Sequence, residues 1–211
     1  MPNFDCHFRE QLYTLFSWRR DVRRFLPTPI PLDTLDRLLD LACLAPSVGL
    51  SQPWRFITVD DASRRAAIRV EFERCNADAL AAEPHERAAH YARLKLAGLD
   101  EAPVHVAVYA DSATTQGHGL GRRTMPETIA YSAVMAVHTL WLAARAEGIG
   151  VGWVSILEPS RIAAVLDVPS TWTFIGYLCL GYPQQQDHVP ALERQQWECR
   201  RLDADIFRLK R

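Results

Sequence analysis

ETIAYSAVMAVHTLWLAARAEGIGVGWVSI, residues 127–156, decides the fold class. Positions 127–147 are mostly apolar and contain neither Pro nor Gly, so they read as one long helix. Gly148 stops that helix. GVGWVSI, residues 150–156, then reads as a strand. Reading C-terminally, Pro159 starts a short helix to Leu166, and 172–180 is another strand. Reading N-terminally, PVHVAVYAD, residues 103–111, is a strand whose apolar side chains call for a central position. WRFITVD, residues 54–60, alternates and is a further strand. Residues 62–82 and 86–98 read as helices. So do 4–18, with Phe4, Phe8, Leu12, Leu15 and Phe16 at helical spacing, and a segment from Asp33 to Pro46 with Leu35, Leu38, Leu39 and Ala42 on one face. Helices and strands do not alternate cleanly. The expected class is therefore α+β, a sheet covered by helices.

Composition narrows the function. The 211 residues fit one large domain or two small ones, with a sizeable core. We expect a single domain over 1–211, with a core at about 10–183 and a C-terminal extension at 184–211. The extension is too apolar to float free (Trp197, Leu202, Ile206, Phe207, Leu209), which raises the expectation that it wraps a neighbouring subunit. Net charge is −1, against the basic excess of a nucleic-acid binder. The five cysteines, Cys6, Cys43, Cys75, Cys179 and Cys199, are odd in number and form no C-x-x-C pair. That favours reduced thiols in a cytosolic protein over disulfides or zinc. No apolar run approaches the ~20 residues of a membrane span. The charged start MPNFDCHFREQ does not look like a signal peptide. A cytoplasmic protein with no membrane partner is expected.

Three stretches carry candidate chemistry. SWRRDVRRF, residues 17–25, places Arg19, Arg20, Arg23 and Arg24 around one carboxylate, Asp21. Guanidinium groups at a helix–loop junction suit a phosphate, because each donates two parallel hydrogen bonds. A solvated face with Asp21 paired to an arginine explains the same pattern. APSVGLSQPW, residues 45–54, ends a helix at Pro46 and offers Ser47, Ser51 and Gln52 in a turn that either meets a polar ring edge or simply joins helix to strand. Gly150 and Gly152 in the strand 150–156 imply close approach of another group, a ligand or a subunit. Ser155 would then touch a ligand.

Other patterns are excluded. GHGLG, residues 117–121, fails the dinucleotide fingerprint, because Arg122 stands where the third glycine belongs. The loop 112–126 around it is longer than the usual connection and reads as a lid. The seven histidines show no metal-ligand spacing, and no G-x-S-x-G is present.

Taken in order, RRDVRRF (19–25), LACLAPSVGLSQPWRF (41–56), RLKLAGLDEAPV (93–104), GHGLGRRTMPET (117–128) and WLAARAEGIGVGWVSIL (141–157) resemble the FMN-dependent nitroreductase superfamily, and within it the flavin-fragmenting branch. The resemblance covers about residues 10–183. It implies a central, mostly antiparallel sheet flanked by helices, in an intertwined homodimer with FMN in two equivalent interface pockets. It also assigns roles. Arg19, Arg20 and Arg23 resemble the arginines at the phosphate and ribityl end, with Asp21 and Val22 completing that segment. Pro46, Ser47 and Val48 resemble the turn against the flavin. Leu94 resembles a further contact, and Gly152, Trp153 and Ser155 the strand beside the isoalloxazine. The 117–127 loop resembles the lid.

Common nitroreductases carry serine where this chain has Asp21. In the flavin-fragmenting branch the matching aspartate is needed for chemistry. The resemblance therefore makes Asp21 and Ser155 the catalytic pair. The reaction it implies is O2-dependent breakage of reduced FMN into 5,6-dimethylbenzimidazole, for cobalamin, and D-erythrose 4-phosphate. Reduced flavin would come from a separate reductase. The rival reading within the fold is an NAD(P)H-dependent FMN reductase of nitro compounds or quinones. A rival of another class is a binding protein that uses the arginines electrostatically.

Overall fold

The computed structural model describes residues 3–201, 207 and 208. Helix α1 (Cys6–Trp18) is capped by Asp5, whose Oδ1 accepts the Phe8 N–H at 2.8 Å. Helix α2 (Leu32–Ala42) starts after Pro31 and buries Leu35, Leu38 and Ala42. Strand β1 (Trp54–Thr58), helix α3 (Ala62–Ala82), a short α4 (His85–Tyr91) and strand β2 (Val104–Asp111) follow. The long α5 (Thr128–Ala146), strand β3 (Gly150–Val154), α6 (Pro159–Leu166), strand β4 (Trp172–Gly181) and a short α7 (Ala191–Arg194) complete the chain.

The strands form one antiparallel sheet in the order β1-β2-β4-β3. Val106 faces Leu178 across its centre, and Val151 faces Leu180. Both faces are covered. Ala107, Tyr109, Tyr177 and Cys179 pack with Ile68 of α3 and Ile162 of α6. Val106, Val108, Leu178 and Leu180 pack with Leu38 of α2 and with Val137 and Leu140 of α5. That double burial explains why β2 and β4 read as apolar runs rather than alternating strands.

Two expectations change. The helix expected over 86–98 ends at Tyr91. Beyond it the chain runs past the arginine segment, and the Lys95 carbonyl accepts a hydrogen bond from Arg23 Nη1 at 3.0 Å. A helix would have spent that carbonyl internally, so the tertiary contact overrides the local preference. The second concerns α5, which is apolar and long enough to cross a bilayer by length and composition. Its Ala133, Ala136, Val137, Leu140 and Ala144 are buried in the protein, as expected of a core helix, while Tyr131, Val134 and Met135 are exposed. Helix α1 packs beside α5 with none of its residues buried, leaving Phe8, Tyr13 and Phe16 exposed.

The described tail lies on its own chain. Phe25 bridges Pro183, and Gln184 N–H donates to the Arg24 carbonyl at 3.1 Å. Leu202, Ile206 and Leu209 lie outside the described residues.

His105 sits in the core, 2% exposed, with its Nδ1 3.0 Å from the Tyr177 hydroxyl. Burial, aided by the Arg65 charge, pushes it down to about 4. The unfolded chain, with an ordinary histidine, therefore takes up a proton first as pH falls. The stability tied to neutral His105 is complete above pH ~6.5 and is lost as pH drops towards about 4. We expect His105→Gln to flatten the decline in unfolding free energy between those limits, by about 3 kcal/mol at most. Denaturant titrations at several pH values check this, and parallel curves for wild type and variant would contradict it.

Candidate active site

The arginine segment leaves α1 in extended conformation and docks on the free edge of β3. Val22 N–H donates to the Val151 carbonyl at 3.1 Å, and Asp21 pairs with Val151 as a parallel bridge. The glycines of β3 make this possible. A Cβ built on Gly152 would fall 2.1 Å from the Val22 carbonyl oxygen, and one on Gly150 would strike the Val22 side chain at 2.7 Å. The close approach expected at these glycines is therefore made by the chain's own residues 21–22.

Asp21 is the hub. Its Oδ1 accepts the Trp153 backbone N–H at 2.9 Å, and its Oδ2 pairs with Arg23 Nε at 2.6 Å. Arg23 spans further to the Lys95 carbonyl. Arg20 behaves differently. Its Nε and Nη2 donate to the His188 carbonyl at 2.9 and 2.6 Å, and its guanidinium also reaches the Arg19 and Ser17 carbonyls. Its fork is spent on backbone oxygens. Burial, with Arg19 alongside, lowers its pKa from the ordinary arginine value. The Arg19 guanidinium lies over the Trp141 ring, 4.8 Å from its centre. Trp141 in turn donates its indole N–H to the Arg20 carbonyl at 3.2 Å and neighbours Trp153 at 6.3 Å.

Beside this hub lies a cavity of about 220 Å³. Its inner wall is Arg20 to Arg24 with Lys95, and its outer wall comes from the tail, including Asp187 and Arg194. Five cations against two carboxylates suit a dianionic phosphate. The volume is below the range of about 300–1,000 Å³ that holds whole drug-sized ligands, so it fits the phosphate end of a larger molecule.

The remaining expected residues lie elsewhere. Leu94, half-buried, precedes Lys95 and borders the hub in sequence. Ser155 stands one residue beyond the end of β3 and is exposed. Pro46, Ser47 and Val48 precede β1, at the opposite edge of the sheet, three strand spacings or about 14 Å from β3. There, Ser47 Oγ accepts the Gln52 N–H at 3.1 Å, and Val48 N–H donates to Ser132 Oγ at 3.0 Å. The 117–121 loop packs on this turn. Gly117, at φ +79°, lies so close that a Cβ would meet the Gly49 carbonyl oxygen at 2.4 Å. The chain thus unites Arg19–Arg23 with Gly152 and Trp153, and separately unites the Ser47 turn with the 117–121 loop.

Sequence reasoning missed Lys95, Asp187, His188 and Arg194. Lys95 was within reach, as a cation in the R-L-K-L segment next to Leu94. The tail residues carry no motif, and only folding brings them back to the arginines. Among the described residues, no three His, Cys, Asp or Glu side chains are grouped to hold a metal.

The chain is similar to several known proteins. Two curated relatives are both 5,6-dimethylbenzimidazole synthases. The one from Rhodospirillum rubrum is 60% identical over 200 residues, covering 95% of each chain. The one from Rhodobacter capsulatus is 45% identical over 196 residues, covering 93% of this chain and 95% of the relative. Among solved structures, oxidised iodotyrosine deiodinase bound to FMN and 3-iodo-L-tyrosine superposes with a TM-score of 0.70 at 26% identity, covering 83% of this chain and 91% of that one. A nitroreductase family protein from Streptococcus pneumoniae shares the fold at a TM-score of 0.63 and 17% identity, covering 95% of this chain and 100% of that one. The nitroreductase family model matches residues 16–182, and with the antiparallel sheet between helical layers this establishes that the chain belongs to the nitroreductase family.

Proposed function

We propose that this chain is a 5,6-dimethylbenzimidazole synthase. It takes reduced FMN and O2 and releases 5,6-dimethylbenzimidazole, the lower ligand of cobalamin, with D-erythrose 4-phosphate. The observation that carries the reading is a carboxylate, Asp21, fixed within a cationic phosphate-binding segment. The 60% and 45% identical relatives support it. An ordinary flavin reductase has no use for an acid at that place, since hydride transfer needs no proton relay to the ribityl chain.

FMN fits the residues present. Arg23, Arg24 and Lys95, with Arg19 and Val22, would hold its phosphate and ribityl end. Gly152, Trp153 and Ser155 would border the ring, with Leu94 and the Pro46–Ser47–Val48 turn as further contacts. The reduced flavin supplies the electrons for O2 and is itself the molecule that breaks. The protein's part is proton transfer, orientation and exclusion of water. Asp21 takes or returns the proton at the ribityl C1′ carbon. Arg23 and the Trp153 amide keep it aimed, each donating to one of its two carboxylate oxygens. Ser155 hydrogen-bonds the flavin ring. A separate flavin reductase provides the reduced substrate.

The complete site belongs to a homodimer. The Ser47 turn and the Asp21 hub lie at opposite edges of one sheet, so a second copy must bring them together around one flavin. The exposed Phe8, Tyr13 and Phe16 of α1 and Tyr131, Val134 and Met135 of α5 offer the apolar surface such a pairing needs.

A single turnover tests the function. The FMN-loaded protein is reduced without oxygen, air is admitted, and small molecules are analysed by mass spectrometry. Appearance of 5,6-dimethylbenzimidazole as flavin disappears is the expected result. Recovery of intact FMN would instead make the protein a reductase of the same fold.

A further inference from the structure

The tail crosses the phosphate-end cavity as a strap. Gln184 fastens its start, donating from its backbone to the Arg24 carbonyl and from its side chain to the Phe25 carbonyl at 2.9 Å. Arg20 grips its middle through the His188 carbonyl. Asp187 folds it on itself, accepting the Val189 N–H at 2.8 Å and pairing with Arg194 at 3.2 Å. At the far end, His90 Nε2 meets the Gln195 carbonyl at 2.7 Å, and the Trp197 ring packs on His90 and Tyr91 at 5.5 and 6.0 Å. These anchors hold the strap as the outer wall of the cavity, opposite Arg23, Arg24 and Lys95.

We propose that residues 184–197 set the flavin specificity of the site by closing it behind the phosphate, so that a flavin ending in a phosphate monoester is accepted and one extended through a pyrophosphate to a nucleotide is rejected. The inference rests on the flavin reading above. Two features carry it. The first is space: the strap stands across the cavity from Arg23, Arg24 and Lys95, so a group continuing beyond the phosphate on that side must displace it. The second is charge. A terminal monoester dianion is met by the inner-wall cations Arg23, Arg24 and Lys95, whereas Asp187 on the strap opposes a further phosphate. Arg20 acts here as a positioning residue. Its donors are committed to backbone carbonyls, so its contribution to selectivity runs through the strap it holds.

The test uses full-length protein freed of flavin and titrated with oxidised FMN and FAD by fluorescence quenching. Trp197→Ala removes the far anchor, and Asp187→Asn removes the ion pair with Arg194. Neither lies in the sheet core. Tryptic cleavage after Arg194 reports how loosely the strap is held. We expect the wild type to prefer FMN by about 100-fold or more, and the ratio to shrink about tenfold in Trp197→Ala, with a smaller change in Asp187→Asn. Cleavage after Arg194 should accelerate in parallel. Equal affinity of the wild type for both flavins, or an unchanged ratio in variants that are cleaved faster, overturns the strap alone and leaves the flavin reading standing. Unchanged cleavage in both variants overturns the anchoring on which the proposal depends. Wild-type protein that binds neither flavin overturns the flavin reading and this inference together.

Discussion

Asp21→Asn is expected to bind FMN within about tenfold of the wild type and to lose benzimidazole formation by about 100-fold or more. The asparagine keeps the shape of the side chain and one acceptor for the Trp153 N–H, now at 2.9 Å from Oδ1. What it loses is the charge opposite Arg23 and the ability to exchange a proton. The ion pair is short, at 2.6 Å, and its partners are only 29% and 18% exposed, so breaking it costs about 1.5–3 kcal/mol. Arg23 keeps its bond to the Lys95 carbonyl, and the cations of the cavity are untouched. Binding and chemistry should therefore separate. Asp21→Ser, which installs the residue of ordinary nitroreductases, should behave alike, with flavin reoxidised and recovered whole. Single turnovers followed by mass spectrometry, beside FMN titrations, decide the matter. Full product yield from Asp21→Asn would remove the carboxylate from the mechanism.

The parts of this protein legible in its sequence are those set by local patterns. β2 and β4 are buried on both faces and so read as apolar runs. Helix α5 is continuous and ends at a glycine, and α6 begins on Pro159. The arginine segment and the β3 glycines were visible as separate motifs. Their junction was not, because the bond from the Trp153 amide to Asp21 joins positions 132 residues apart. The glycines were read as room for a ligand or a neighbour, and that room is taken by Val22. The same limit explains α4. Residues 92–98 have helical composition, but the Lys95 carbonyl is claimed by Arg23. Arg20 is the subtler case. In sequence it is one of four equivalent arginines. In the fold its donors are spent on the Ser17, Arg19 and His188 carbonyls, which separates it from Arg23 and Arg24. The tail residues that do this carry no pattern at all, since nothing in 184–197 announces that it returns to residue 20.

Gly152→Ala is expected to be the most damaging single-methyl change in the site. A Cβ there would sit 2.1 Å from the Val22 carbonyl oxygen, a backbone atom that cannot rotate away. The Asp21–Val22 segment must lift off β3. Lifting it breaks the Val22 N–H bond to the Val151 carbonyl and draws Asp21 from the Trp153 N–H. Overpacking of this kind costs about 1–3 kcal/mol, and losing a hydrogen bond to a charged group adds about 1.5–3 kcal/mol. A loss of about 3–5 kcal/mol from a protein of this size lowers its melting temperature by about 10 °C, and displacing the arginines should weaken FMN binding at least about tenfold. Gly150→Ala is the control. Its Cβ would meet the Val22 side chain at 2.7 Å from a Cγ and 2.9 Å from Cβ, a milder overlap than 2.1 Å from a backbone carbonyl oxygen. The two alanine variants should therefore rank clearly, with Gly150→Ala the milder in both melting temperature and FMN affinity. If Gly152→Ala matched the wild type in both, the docking of Asp21 on β3 would not be what builds this site, and the orientation of the Asp21 carboxylate would have to come from elsewhere.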